Sequence, residues 1–178
     1  MNNDELKTLV RTIPDYPKPG IMFRDVTTLI SHGEGLRATI NNMAEPFIGK
    51  GIDTVVGIEA RGFILGGAIA EKLGVGFVPV RKKGKLPFDT ISQTYELEYG
   101  TDELEIHTDS IQQGEKVLIV DDLIATGGTL EAAGKLVKQL GGQIVAAAFI
   151  VDLPDIGGSK KCEKLGIPCH ALMAFDGE

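Results

Sequence analysis

Between Lys116 and Val151 the chain reads as strand, helix and strand in one unbroken stretch. Lys116–Val120 (KVLIV) is a short apolar run. Thr129–Leu140 follows, with Leu130, Ala133, Leu136, Val137 and Leu140 on one helical face and Glu131 and Lys135 at i,i+4 on the other. Gly141-Gly142 closes the helix, and Ile144–Val151 (IVAAAFIV) is the second apolar run. A similar order occurs upstream in Thr54–Ile58 (TVVGI), Phe63–Leu73 and Gly76–Val80 (GFVPV). Strands joined through a helix pair in parallel by a right-handed crossover, and the helices then cover the sheet faces. The expected fold is therefore α/β, a single domain with a mainly parallel, doubly wound sheet. Leu36, Ile40, Met43 and Phe47 mark a further amphipathic helix, after a turn at SHGEG, and Asp4–Ile13 a short one at the start.

Arg81 to Gly114 interrupts the alternation, with no clear helix and no long apolar run. Thr94–Glu98 (TYELE) and Glu103–His107 (ELEIH) alternate about Tyr99-Gly100, which predicts a β-hairpin. Long irregular segments within compact domains are commonly functional, so residues 82–100 are expected to form a flexible lid. With 178 residues and no repeat or linker, the chain is expected to be one domain over residues 1–178.

Composition excludes several functions. The net charge of −7 argues against non-specific nucleic-acid binding, so an anionic ligand needs a local cluster of cations or amides. The longest apolar run is eight residues, too short for a membrane span, and MNNDELKTLV has no secretory pattern. A cytoplasmic location is expected, with Cys162 and Cys169 as reduced thiols. His32, His107 and His170 are scattered, so no protein-ligated transition metal is expected.

Val117–Thr129 (VLIVDDLIATGGT) carries the most chemistry. An apolar strand ends in Asp121 and Asp122, and a small-residue turn opens a helix. The turn amides and helix start suit an anion, and Gly127 and Gly128 allow a phosphate to approach the backbone. Thr126 and Thr129 add hydroxyl donors. Acids at the carboxyl end of a parallel strand lie where open α/β sheets bind ligands, and suit sugar hydroxyls. The same residues also fit a solvated strand end, with Thr129 as a helix N-cap. There is no GxxxxGK[ST], and Gly33, Gly35 and Ala38 match GxGxxA only where a turn leads into a helix.

VLIVDDLIATGGT resembles the phosphoribosyl pyrophosphate signature of the type I phosphoribosyltransferases. The resemblance implies that Asp121 and Asp122 contact ribose hydroxyls and that Ala125, Thr126, Gly127, Gly128 and Thr129 cradle the 5′-phosphate. PDYPKPGIMFRDVT (Pro14–Thr27), GIEARGF (Gly57–Phe63), RKKGKLP (Arg81–Pro87) and YELEYG (Tyr95–Gly100) are similar to one branch, the adenine phosphoribosyltransferases. The likeness is collinear from about Ile13 to Val151. The segment after Asp152 carries no usable motif.

That branch implies that Met22, Phe23 and Arg24 bind adenine, with Phe23 stacking on it, and that residues 1–35 form a hood over the base. A lone Phe is otherwise an ordinary core aromatic. The GIEARGF turn implies pyrophosphate binding by Glu59, Ala60 and Arg61, with Arg61 also catalytic and a cis peptide near Glu59-Ala60. Arg81, Lys82, Lys83 and Lys85 form the densest cation run, which read alone is a solvated loop. The family implies that Arg81, Lys82 and Lys85 serve pyrophosphate, with Arg81 reaching across a homodimer interface. The family's 6-oxopurine relatives carry an aspartate at the position of Ala125; alanine has no proton to exchange. Glu98 is the matching catalytic carboxylate, with Tyr99 beside it on the lid, although most glutamates are simply exposed.

The implied reaction transfers ribose 5-phosphate from 5-phosphoribosyl 1-pyrophosphate to adenine N9, giving AMP and pyrophosphate in purine salvage. Mg²⁺ would be held mainly through the substrate, with no protein metal site. No nucleic acid or membrane partner is implied. The alternative is a non-catalytic purine or phosphoribosyl-pyrophosphate sensor on the same fold. Such repressors carry an added DNA-binding region, and no basic helix for DNA is visible here.

Overall fold

The computed structural model describes residues 1–97 and 99–177. Helices α1 to α6 span Asn3–Lys7, Thr27–Ser31, Gly33–Ala44, Arg61–Leu73, Gly128–Gln139 and Gly158–Leu165. Strands β1 to β10 span Arg11–Pro14, Met22–Asp25, Thr54–Ile58, Gly76–Lys82, Thr90–Glu96, Thr101–His107, Lys116–Val120, Leu123–Ile124, Gln143–Asp152 and Cys169–Ala174. The main sheet has the order β10-β9-β7-β3-β4-β6-β5, with β8 paired to β9. The run from β10 to β4 is parallel; β6 lies antiparallel to both β4 and β5. The expected doubly wound sheet is present, and the hairpin expected around Tyr99-Gly100 extends it.

Alternation along the strands divides the core in two. Val55, Leu118 and Val120 face one side with Leu65 and Ile69 of α4 and Met43 of α3. Val56, Val117 and Ile119 face the other with Leu130, Ala133, Leu136 and Val137 of α5. Successive side chains point to opposite faces of a strand, so apolar runs such as TVVGI and KVLIV supply both cores. Gly57 and Gly66 let β3 and α4 close around Phe77. A Cβ on Gly57 would lie 2.5 Å from Phe77 Cε2 and 2.7 Å from the Gly62 carbonyl oxygen.

Three expectations need correction. The helix expected over Asp4–Ile13 ends at Lys7, because Arg11–Pro14 pairs with Met22–Asp25 as a separate two-stranded sheet. SHGEG is not a turn ahead of the next helix: α3 begins at Gly33, with His32 Nδ1 accepting from the Gly35 amide at 3.0 Å. That helix ends at Ala44, and Glu45–Phe47 continues as one 3₁₀ turn containing Pro46. Cys162 and Cys169 are joined in a disulfide rather than free. The turn from α6 into β10 brings them together, which their spacing alone does not reveal.

The close approach of β3 and α4 gives a direct test. Gly57→Ala should destabilise the protein by about 1–3 kcal/mol through overpacking. Gly67→Ala, on α4 with nothing within 4 Å of the added Cβ, should instead gain about 0.5–1 kcal/mol. Urea unfolding midpoints of the two variants provide the comparison.

Candidate active site

The parallel strands run outward from β3 in both directions, to β4 on one side and to β7, β9 and β10 on the other. Winding therefore reverses between β3 and β7, the position at which open α/β sheets form a ligand crevice at their carboxyl ends. The chain leaves β3 through Glu59, Ala60 and Arg61, leaves β4 through Lys82 to Lys85, and leaves β7 through Asp121 and Asp122. Three neighbouring strands thus deliver most of the charged residues singled out above.

Arg61 opens α4 and its Nε donates to Asp122 Oδ2 across the switch point. This contact is possible because Gly62 sits directly against β7, where an added Cβ would meet the Val120 carbonyl oxygen at 2.9 Å and Asp121 Oδ1 at 3.2 Å. Both acids are largely buried. Asp121 Oδ1 accepts from the Asp122 amide at 2.9 Å. Burial, then the adjacent Asp122 charge, raises the Asp121 carboxyl well above its ordinary range. The two acids are therefore unequal, with Asp122 tied to a guanidinium and Asp121 biased towards holding a proton.

The Glu59–Ala60 peptide is cis, at the turn where the family pattern implied it. Glu59 turns towards the end of β4. Its Oε1 accepts from the Lys82 amide at 2.6 Å, and its Oε2 accepts from Lys85 Nζ at 3.2 Å. Arg81 Nε lies 3.5 Å from Oε1, an ion-pair distance without a hydrogen bond. Burial works to raise the Glu59 carboxyl, but the Lys82 amide, Lys85 and Arg81 outweigh it and hold it below the usual range. Lys82 Nζ pairs with Asp102 at 3.0 Å and Lys83 with Glu103 at 3.2 Å. The cation run is thus paired with carboxylates from the turn after β3 and from β6, while Lys82, Lys83 and Lys85 stay exposed to solvent.

The 125–129 loop links β8 to α5. Gly127 is the N-cap at φ 82°, ψ 5°, a left-handed conformation that suits glycine. Thr129 is accordingly not the cap; it lies in the first turn, and Thr126 Oγ1 accepts from the Gly128 amide at 3.4 Å. Tyr95 of β5 lies beside Gly128, 3.7 Å from where a Cβ would stand. The hairpin therefore borders the loop near its turn end, through Tyr95 and the Glu96 carbonyl.

Met22, Phe23 and Arg24 lie on β2. Phe23 meets Tyr16 edge-on at a centroid distance of 5.1 Å, and Met22 is exposed. Arg24 is turned away from these side chains: Nη1 donates to Thr12 Oγ1 at 2.7 Å, and the guanidinium lies 4.5 Å from the Phe175 ring centroid. Tyr99, at the hairpin tip, faces Lys18 of the β1–β2 loop, with Nζ 5.8 Å from its ring centroid. Glu98 lies outside the described residues. Sequence reasoning missed Asp102, Asp25 and the α6 contacts with the 125–129 loop, because isolated acids and lysines carry no local signature.

A phosphoribosyl transferase domain model matches residues 27–164. The adenine phosphoribosyltransferase of Brucella ovis is 61% identical over 173 residues, covering 97% of this chain and 96% of that protein. The crystal structure of the Rhodothermus marinus adenine phosphoribosyltransferase superposes with a TM-score of 0.91 at 50% identity, covering 97% of this chain and 98% of that one. The Saccharomyces cerevisiae enzyme, complexed with adenine and an imino-altritol bisphosphate, matches at a TM-score of 0.89 and 40% identity, covering 96% and 98% of the two chains.

The β1–β2 hairpin is anchored by Asp25. Its Oδ1 accepts from the Thr27 amide and hydroxyl, and its Oδ2 from Arg11. The Thr27 hydroxyl, followed by Arg11, lowers the carboxyl from 3.8 to about 2. As pH falls the unfolded chain takes up this proton first, so the contribution is complete above about pH 4 and disappears towards pH 2. Urea unfolding measured across that interval should lose stability less steeply in Asp25→Asn than in the parent chain.

Proposed function

The chain belongs to the type I phosphoribosyltransferases, in the adenine phosphoribosyltransferase branch, and on that footing we infer the reaction it runs. It transfers ribose 5-phosphate from 5-phosphoribosyl 1-pyrophosphate to N9 of adenine, forming AMP and pyrophosphate. The observation that carries this reading is the meeting of Arg61 with Asp122 at the switch point, in a chain that also supplies an ATGGT loop at the start of α5. One edge of the crevice offers cations, the centre offers carboxylates, and the 125–129 loop offers amides.

The bond from the anomeric carbon to pyrophosphate oxygen breaks as the bond to N9 forms, and the electron pair leaves with pyrophosphate. Positive charge develops on the sugar, as in glycoside transfer. In our assignment Arg61, Arg81, Lys82 and Lys85 take the charge of the departing group, with the Ala60 turn shaping the approach. Glu59 holds Arg81, Lys85 and the Lys82 amide in place. Asp121 and Asp122 serve the ribose hydroxyls, and Ala125, Thr126, Gly127, Gly128 and Thr129 serve the 5′-phosphate. Phe23 stacks on the base, Met22 and Arg24 border it through the β2 backbone, and residues 1–35 act as its hood. Residues 82–100 act as a lid that keeps water from the electrophilic carbon. The contact between Tyr99 and Lys18 supports this reading, since the lid tip and the hood already approach one another.

The site fits Mg²⁺ held mainly through substrate phosphate and ribose oxygens, with the Asp121 and Asp122 carboxyls, one biased towards a proton and the other tied to Arg61, meeting the ribose hydroxyls beside it. When bound, Mg²⁺ neutralises charge on the leaving pyrophosphate. Glu98 is assigned the proton exchange on the N7 side of adenine, because the Ala125 side chain has none to offer.

We place the enzyme in the cytoplasm, with its phosphorylated substrates, as a homodimer that needs no nucleic acid or membrane. Among the described residues no helix is long and apolar enough to cross a membrane. Ile64 on α4 and Phe88 are half exposed, leaving apolar surface for a second copy to cover.

Adenine should be turned over at least about tenfold faster than hypoxanthine or guanine, because a 6-oxo group mismatches partners arranged for a 6-amino donor. Glu98→Gln should lower kcat by about 10²–10⁴ while changing KM for phosphoribosyl pyrophosphate much less. Steady-state assays with each base and with the variant test both assignments; equal use of hypoxanthine would remove the adenine reading. Amide exchange across residues 82–100 should slow when AMP and pyrophosphate are added, and unchanged exchange would leave the segment a plain loop.

A further inference from the structure

The segment after Asp152 touches the phosphate loop at two points. Gly158, the first residue of α6, is pressed onto the loop backbone: a Cβ there would fall 2.5 Å from the Ala125 carbonyl oxygen and 2.6 Å from Ile124 Cγ1. One turn on, the stem of Lys161 covers Gly127, with its Cβ and Cδ each 3.2 Å from the position of a Gly127 Cβ. The ammonium then ends 2.5 Å from Glu131 Oε2, while Lys135 lies 3.6 Å from the other oxygen of the same carboxylate.

Glu131 sits in the first turn of the helix whose start is assigned to the 5′-phosphate. A carboxylate there interacts well with the helix dipole, but it repels a phosphate dianion bound to the same helix start. The loop itself, Ala125–Thr129, contains no cation. Neutralising Glu131 falls to Lys161 and Lys135, and Lys161 makes the shorter contact.

We propose that Lys161 is a positioning residue for the ribose 5-phosphate, pinning Gly127 with its stem and cancelling Glu131 with its ammonium. The proposal rests on the phosphoribosyl reading above. It assigns Lys161 no contact with the base and no role at the anomeric carbon. Its removal should therefore weaken ligands that carry the 5′-phosphate and spare those that do not.

Lys161→Met retains the apolar stem and removes the charge. Calorimetry should show AMP binding about tenfold more weakly, the scale of a lost charge-assisted contact, with adenine affinity unchanged. KM for phosphoribosyl pyrophosphate should rise in step while kcat stays within about twofold. Lys161→Arg should bind AMP like the parent chain. Adding Glu131→Gln to Lys161→Met should restore most of the AMP affinity, since the uncancelled carboxylate is the proposed cause. Unchanged AMP binding in Lys161→Met, equal losses for AMP and adenine, or no recovery in the double variant would overturn the proposal. A parent chain that bound neither AMP nor phosphoribosyl pyrophosphate would instead strike the phosphoribosyl reading beneath it.

Discussion

The seating of α4 against the end of β7 sets the dimensions of the site. Gly62 lacks a side chain, and the space one would need is held by the Val120 carbonyl and the Asp121 carboxylate. The helix can therefore start directly beside the neighbouring strand. This carries Arg61 to Asp122, and the turn before it carries Glu59 to the end of β4. The closest of these contacts is to backbone, so repacking of side chains could not relieve a larger residue at position 62.

Around that fixed spacing, charge is arranged in pairs. Arg61 has Asp122, Arg81 and Lys85 share Glu59, Lys82 has Asp102 and Lys83 has Glu103. The acid excess of the chain therefore does local work, fixing cations that would otherwise sample many rotamers. Under the assignment proposed above, a polyphosphate meets these groups by exchanging partners with the carboxylates. Such exchange makes discrimination depend on the geometry of the oxygens more than on net attraction, because the local field is already largely cancelled.

Much of this was legible in the sequence because it is local. VLIVDDLIATGGT encodes strand, acids, turn and helix within one window, and its parts stand where that order requires. TVVGI and GFVPV likewise gave their strands, and the alternation about Tyr99-Gly100 gave the hairpin. What was not legible depends on contacts distant in sequence. Arg11–Pro14 forms a strand because it pairs with Met22–Asp25, an interaction that a helical reading of Asp4–Ile13 cannot register. The joining of Cys162 to Cys169 depends on how α6 turns into β10. Lys161 lies in the segment without a usable motif, and its place over Gly127 depends on how α6 packs against the 125–129 loop.

The β1–β2 sheet shares no strand with the main sheet. Its ties to the rest of the chain include Arg24 against Phe175 and the Thr28 hydroxyl donating to the Leu9 carbonyl. The piece assigned to the base is thus hydrogen-bonded apart from the strand ends assigned to sugar and phosphates, although Val10 and Val26 beside it enter the core shared with β3 and β7. On these assignments a change of base preference falls to a short two-stranded piece, while the strand ends assigned to sugar and phosphates keep their packing. For protein engineers the same seam marks where new acceptors can be grafted, with the hydrogen bonds of the parallel sheet left undisturbed.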